Sequence, residues 1–401
     1  MTSNAFVASR QCRAIAAVAL GDPELYEMAE ISLDNRFTEL ASGSIDVYTR
    51  ATPTTGRDLH ERTSGLGFAF SIPHHYGGVS FGGNPFFVQC ADDLNTQGDC
   101  SGLQVCAAPG TTHTAFAEAM LPAAHILILS VNDFPTAFET GRCNVIVGHN
   151  WDLTLVLIGD ESFGPGLAIG KILSYEFFCL VTRDDDPRWS DIVNNVIQSL
   201  ITGEAQGITQ SMAQDFVSAS NFGLGSEFMF QTAIAAVGNY GEMYERHFEW
   251  YFPRGEINLI NVNGTTGILR TPLFDGVLDN GPEPIAGGEV EVITRNGHLT
   301  CGITDQRPGF AEFNSTSGRW SGLDVDYCRA LVSSLFFGRV TDETLIFLEF
   351  DSPEEGRSAL ADSTVDVLCG QRVSLQVDIA PGATGKGYTF SLPYFYEAPD
   401  R

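Results

Sequence analysis

Asp46–Tyr76 reads DVYTRATPTTGRDLHERTSGLGFAFSIPHHY, and Asp366–Tyr396 reads DVLCGQRVSLQVDIAPGATGKGYTFSLPYFY. The two stretches align without a gap at an offset of 320. They share the opening Asp-Val, a central Asp, Gly-x-Gly, Phe-Ser, a Pro and the final Tyr. Upstream, Cys12-Arg13-Ala14 answers Cys328-Arg329-Ala330 at an offset of 316, so the later copy carries four extra residues. A period this long is no solenoid and implies a tandem duplication of a domain, with both ends of the array cut.

Length and composition fit that reading. At roughly 150 residues per domain, 401 residues carry two to three domains or one large two-lobed one. Apolar residues make up 43% and aromatics 11%, ample for a packed core. The formal net charge is −28, and Lys171 and Lys386 are the two lysines. A surface this acidic repels phosphate backbones and argues against a nucleic-acid partner. No apolar run approaches the roughly 20 residues that span a bilayer. Arg10, Arg13 and the following AIAAVAL imitate a signal peptide, but the repeat aligns CRAIAAVALGD with CRALVSSLFFG inside the second copy. Both read as amphipathic helices packed on a sheet, and the export signal as absent from this fragment.

Residues 12–50 read helix, strand, helix, strand. The helices fall at 12–20 and 34–42, and the strands around Met28–Ser32 and Ile45–Tyr48. Such alternation predicts an α/β layer with a parallel sheet. A second unit starts near Leu103 with strand LQVCAA, turn PGTT, helix HTAFAEAM and strand HILIL, then a helix through Phe134–Thr140 and strand NVIVG. RWSDIVNNVIQSLI, residues 188–201, has apolar residues at helical spacing. Residues 261–290 are rich in Gly, Asn and Pro and read as a linker. Strand HLTCGIT and then GRWSGLDVDYCRA open the C-terminal copy.

The run CGITDQRPGFAEFNSTSGRWSGLDVDYCRA resembles the N-terminal signature of the family 3 solute-binding proteins, the general amino-acid-binding proteins of ABC uptake systems. RFTELASGSIDVYTR, VCAAPGTT, ETGRCNVIV, DDDPRWSDIVNNVIQSLI and AVGNYGEMYER resemble its later signatures. The resemblance implies an α/β, two-lobed fold of the periplasmic-binding-protein type II kind, followed by a partial repeat of lobe 1. Residues 1–260 form the binding-protein-like domain lacking its first strand, with lobe 1 at 12–85 and 185–250 and lobe 2 at 95–180. Residues 291–401 are the N-terminal part of a second copy. It also implies a ligand in the cleft between lobes, at the carboxyl ends of strands. No cofactor is implied. The partner is a small-molecule ligand, an amino acid or carboxylate, with an ABC permease or other membrane protein beyond it, in the periplasm or outside the cell.

The same resemblance assigns roles. Arg57, in Thr54-Thr55-Gly56-Arg57, stands where a guanidinium grips the ligand carboxylate, for which its planar fork of donors is suited. Thr52 stands at a further donor position. Gly110-Thr111-Thr112 opens a helix and reads either as an anion site or as an N-cap. His149 falls where the family has an Asp that pairs with the ligand ammonium, and Asn144 replaces the Asp of GRCD. An imidazole does not supply that negative charge. Val377 and Ser374 replace Arg57 and Thr54 in the second copy, which therefore lacks the carboxylate grip, while Phe310 stands where the family often stacks an aromatic on ligand. His149, Asn144 and Val377 also open a different reading, a degenerate non-binding structural or interaction module of a tandem extracellular array.

Among nine cysteines, the resemblance pairs Cys106 with Cys143 and Cys301 with Cys328. Cys90 and Cys100 bracket a Gly/Asn/Asp-rich loop and are expected to close it; Cys12 is left odd and Cys179 reads as a buried strand thiol. The pattern suits an oxidising compartment. Enzyme signals fail. FGPGLAIGKI lacks the first Gly and the Ser/Thr of a phosphate loop, and His74-His75 are adjacent rather than spaced as a metal pair. No metal site is read. An enzyme on the same fold, such as a dehydratase, remains the third reading because fold does not fix function.

The missing strand yields one structural expectation. The equivalent strand in this chain is His298–Asp305, which is expected to pair with 344–350 or 365–369 in a half-lobe of its own, since local pairing has the lower closure entropy. Pairing with Ile45–Tyr48 would instead mean a swap into the first copy.

Overall fold

The protein's structure is a computed structural model that describes residues 3–33, 35–54, 67–95, 98–159, 166–216, 228–261, 267–269, 289–304, 306–336, 338–371, 388–391 and 393. It divides into two compact units. Met1–Ser218, Phe228–Thr271 and Leu392–Arg401 make the first, and Ala219–Glu227 with Pro272–Ser391 the second.

In the first unit the elements run α1 (Ser3–Leu20), α2 (Arg36–Ser42), β1 (Tyr48–Ala51), β2 (Phe68–Phe70), β3 (His75–Gly83), α3 (Pro85–Asp92), β4 (Val105–Ala107) and α4 (Thr112–Met120). They continue with β5 (Ile126–Ile128), α5 (Phe134–Glu139), β6 (Val145–His149), α6 (Asn150–Gly159), β7 (Ala168–Ile169), β8 (Ser174–Arg183), α7 (Pro187–Ala205), α8 (Met229–Val237) and α9 (Tyr240–His247). One mixed sheet has the order β1-β8-β3-β6-β4-β5, with β2 on β8 and β7 on β3. The long strands β3 and β8 pair antiparallel from His75↔Phe178 to Val79↔Ser174 and form its middle. β1 and β2 flank them on one side, and on the other lie β6, β4 and β5, mutually parallel.

Local sequence explains these elements. α7 starts at Pro187 because a missing N–H costs nothing in the first turn, and the Asp186 side chain caps the Trp189 amide at 3.1 Å. Val193, Val196, Ile197, Leu200 and Ile201 recur at helical spacing and are buried, each contributing roughly 1.5–3 kcal/mol. β6 reads VIVGH with every residue buried, the pattern of a strand covered on both faces. At the end of β3, Gly83 holds φ 148° with its α-carbon hydrogen packed where a Cβ would lie 2.4 Å from the Asn144 carbonyl, so only glycine fits. Cys90–Cys100 and Cys106–Cys143 are bonded, closing the loop after α3 and tying β4 to the residue before Asn144.

The second unit runs α10 (Glu289–Asn296), β9 (Leu299–Ile303), β10 (Glu312–Asn314), β11 (Arg319–Ser321), α11 (Leu323–Leu335), β12 (Leu345–Glu349), α12 (Pro353–Ala361) and β13 (Val367–Cys369). Its sheet has the order β12-β9-β13 and is parallel, with Gly302 beside Leu348 on one side and Leu368 on the other. This is the local pairing expected for His298–Asp305. Ile293, Leu299, Val332, Phe336 and Leu345 pack around the Cys301–Cys328 disulfide.

Two expectations change. Met28–Ser32 forms no strand, and the strand expected at Ile45–Tyr48 lies further on, at Tyr48–Ala51, where it pairs antiparallel with β8. Among the described residues 25–29 pairs with no strand, and Leu25 and Met28 stay 56% and 47% exposed. A strand without a partner leaves its backbone groups to water and loses its reason to be a strand. Most of the linker read at 261–290 lies outside the described residues.

Candidate ligand-binding site

Four segments of the first unit converge on one carboxylate. Thr52 follows β1, Thr112 opens α4, His149 ends β6, and Glu176 stands third in β8, opposite Gly77 of β3. Oε2 of Glu176 accepts a hydrogen bond from the Thr112 hydroxyl at 2.7 Å and another from the Thr52 hydroxyl at 3.2 Å. The same oxygen lies 2.9 Å from Nε2 of His149. Burial alone would raise the Glu176 pKa. Hydrogen bonds from His149 and Thr112, with the nearby His149 and His113 rings, outweigh burial and hold it down at about 2. The group is therefore an anion throughout the physiological range.

Rings frame this cluster. His149 is buried, stacks on Trp151 with ring centres 6.2 Å apart, and meets Phe178 and His113 edge-on at 4.7 Å each. Burial, then the His149 charge, pushes the His113 pKa down to about 3, so that ring is neutral. Arg50 lies over Trp151 at 4.8 Å and reaches Asp152 at 3.6 Å. Beside the cluster, sharing Trp151 and Phe178 with it, is a cavity of about 50 Å³ lined also by Arg50, His75, Tyr244 and Phe248.

The residues singled out in the sequence divide as follows. Thr52, Thr112 and His149 are brought together. Thr111 is not available with them. It is buried, its hydroxyl accepts from the Thr114 amide at 3.2 Å and bonds the Ala108 carbonyl at 2.9 Å, so it acts as the N-cap of α4. Thr54 is half-buried in the coil after β1, and Arg57 lies outside the described residues. Asn144 is a clamp, donating to the Gly102 carbonyl at 2.8 Å and accepting from the Gln104 amide at 3.1 Å, which a carboxylate would do only in part. In the second unit Phe310 sits half-buried in a turn; Val377 and Ser374 lie outside the described residues.

Glu176 itself is the residue that reading by motif passes over. The signal present in the sequence is a lone carboxylate in an otherwise apolar strand, SYEFFCLV. A charge in such a place needs a partner.

The general L-amino acid-binding periplasmic protein AapJ of Rhizobium johnstonii is 28% identical over 258 residues, covering 59% of this chain and 73% of that protein. The glutamate/glutamine/aspartate/asparagine-binding protein BztA of Rhodobacter capsulatus is 26% identical over 287 residues, covering 66% and 82%. In sequence the chain is similar to amino-acid-binding periplasmic proteins of ABC systems. A solved ABC transporter periplasmic binding protein from Brucella ovis, with glutathione bound, superposes with a TM-score of 0.52 at 24% identity, covering 63% of this chain and 85% of that one. That likeness shows the two-lobed binding-protein fold. No protein-family model matches the chain. Among the described residues no helix is long and apolar enough to cross a membrane.

Proposed function

We propose that the chain is a non-enzymatic solute-binding module that captures an amino-acid-like or small carboxylate ligand between two lobes and presents it to an ABC permease or other membrane protein, in the periplasm or outside the cell. One observation carries this. Thr52, Thr112 and His149, chosen from three separate segments by their resemblance to ligand-binding positions, come within hydrogen-bond distance of a single atom. Segments 27 to 124 residues apart converge there, which is how a binding site is built and not how a mere surface is. Arg57 belongs to this reading from its sequence position alone. The named ligands of the relatives, amino acids and glutathione, set the first candidates. Cys106 is bonded to Cys143 and offers no nucleophile, in keeping with binding over catalysis.

The test is a thermal-shift and calorimetric panel of amino acids, dicarboxylates, glutathione and small peptides. At 100-fold over Kd a ligand that binds only the folded state stabilises it by about 2.7 kcal/mol, a shift of several degrees. A panel that gives neither shift nor heat overturns the reading.

A further inference from the structure

The two oxygens of Glu176 are unequally employed. Oε2 takes all three hydrogen bonds, from Thr52, Thr112 and His149. Among the described residues Oε1 accepts none, and it is not sealed from solvent, the side chain being 14% exposed. No lysine or arginine among the described residues forms an ion pair with this carboxylate; the imidazole of His149 is the titratable group in contact with it. A largely buried anion with one open oxygen is a site for a cation, because burial makes an unmatched charge costly and a matched one selective.

The hydroxyls bear on the same point. Thr52 and Thr112 are positions that the resemblance gives to a ligand carboxylate, yet here both donate to the protein's own carboxylate. A ligand carboxylate laid against them would sit near a like charge, which opposes its binding there. His149 meanwhile replaces the acid that would meet an ammonium, and Glu176 brings a carboxylate to 2.9 Å from its Nε2. We propose that Oε1 of Glu176 accepts the ligand's ammonium, so that Glu176 is the specificity-determining residue and the ligand class is one bearing a free primary amine beside its carboxylate. This rests on the binding function proposed above. It narrows the ligand from carboxylates in general to amino acids and peptides with an unblocked amine.

The experiment compares three forms of whichever amino acid or peptide binds: the free amine, its N-acetyl derivative and its des-amino analogue, by calorimetry on the full chain. Loss of the amine should weaken binding to the unaltered protein by about 100-fold or more, as expected for removing one half of a buried charge pair. Glu176→Gln should weaken the free amine by about as much while leaving the des-amino analogue no weaker than before, since the amide keeps the shape and loses a charge that repels the ligand carboxylate. A merely structural role predicts equal loss for both ligands, and that result overturns the proposal. So does an unaltered protein that binds the des-amino analogue as tightly as the amine. Should Glu176→Gln fail to fold, the ligand series on the unaltered chain still decides. If nothing in the panel binds, the parent reading fails; if ligands bind without regard to the amine, only this inference does.

Discussion

Gly43 and Ser363 stand 320 positions apart and hold the same left-handed backbone, with φ of 77° and 61°. Each follows a helix, and the hydrogen bonds match atom for atom. Gly43 and Ser363 donate to the carbonyls of Leu40 and Leu360, Ser44 and Thr364 to those of Glu39 and Ala359, and Ile45 and Val365 to the same Glu39 and Ala359. Two helix ends are thus built alike at the offset at which the two stretches of sequence align. They also differ in one instructive way, for Ser363 carries a Cβ in a conformation that favours glycine. Ser363→Gly should stabilise by about 0.5–1 kcal/mol, and Gly43→Ala should cost about 1 kcal/mol. The alanine methyl would meet only the Arg183 side chain at 3.8 Å, so the loss would be conformational and not steric. Urea denaturation of the two variants checks both signs; equal and opposite neutrality would show that neither turn is strained.

Acid should unfold the first unit earlier than its carboxylates alone would. Burial pushes His74 down to about 3, and His75 well below its usual value of 6.5, while His113 is held at about 3 by burial and then by His149. These rings stay neutral in the fold and take protons when unfolded. Their contribution is thus fully present above about pH 6.5 and is lost as the pH falls toward 3, at about 1.4 kcal/mol per pH unit for each ring. Glu176 behaves with the same sign in a lower window, in place above its usual 4.5 and lost toward about 2. Urea midpoints measured from pH 7.5 to 4.5 should therefore fall steeply, and His74→Gln should flatten the slope by about one proton. A flat profile above pH 5 would refute the buried neutral rings.

The sulfur chemistry of the second unit invites a separate measurement. Cys369 lies with its thiol 3.4 Å from Sγ of Cys328, which is already bonded to Cys301. Burial, then Asp324, pushes the Cys369 thiol up to about 12, and burial pushes Cys12 up to about 11. Thiolate, not thiol, attacks a disulfide, so exchange should be slow at neutral pH. At pH 10–11 Cys369 should attack Cys328, forming Cys328–Cys369 and releasing Cys301 as thiolate. Peptide mapping after acid quenching should give only Cys301–Cys328 at pH 7 and a growing share of the exchanged pair at high pH. Ellman titration of the unfolded, unreduced chain should count the three thiols of Cys12, Cys179 and Cys369.

What could be read from sequence, and what could not, follows the reach of the interactions. The helix at 188–201 announces itself because its apolar spacing and its Asp-Pro start lie within one segment. The cysteine pairs follow from neighbouring motif positions and a short loop. Met28–Ser32 misleads because a strand is made by its partner, and the segment's own residues say nothing of whether one stands beside it. Thr111 presents the same ambiguity at smaller scale, with hydroxyl geometry deciding between cap and ligand contact. Glu176 is the strongest case. Its partners lie 27, 64 and 124 residues away, so its role exists only once the four segments meet.

Arg254 offers the sharpest test of how the segment after α9 is held. Its guanidinium forms a two-pronged pair with Glu204, Nη1 to Oε1 at 2.5 Å and Nη2 to Oε2 at 3.1 Å. Nε donates to the Asn258 carbonyl at 2.7 Å, and the plane lies over Tyr240 at 5.0 Å and Tyr244 at 5.5 Å. Asn258 in turn is buried and pairs both ways with the Tyr76 backbone in β3, at 2.7 and 2.8 Å, so Arg254 links α7, α9 and the central strand. The side chains of the pair are 12% and 23% exposed, which places the interaction well above the surface-pair range. Arg254→Ala should cost about 2–3 kcal/mol, since it strands the Glu204 carboxylate as well as removing the stacked plane. Arg254→Lys keeps the charge but not the fork or the stacking, and should recover no more than about half of that. Glu204→Gln combined with Arg254→Ala should then cost less than the sum of the two single changes, the mark of a shared interaction. Additive losses in that cycle would mean that Arg254 acts by packing alone.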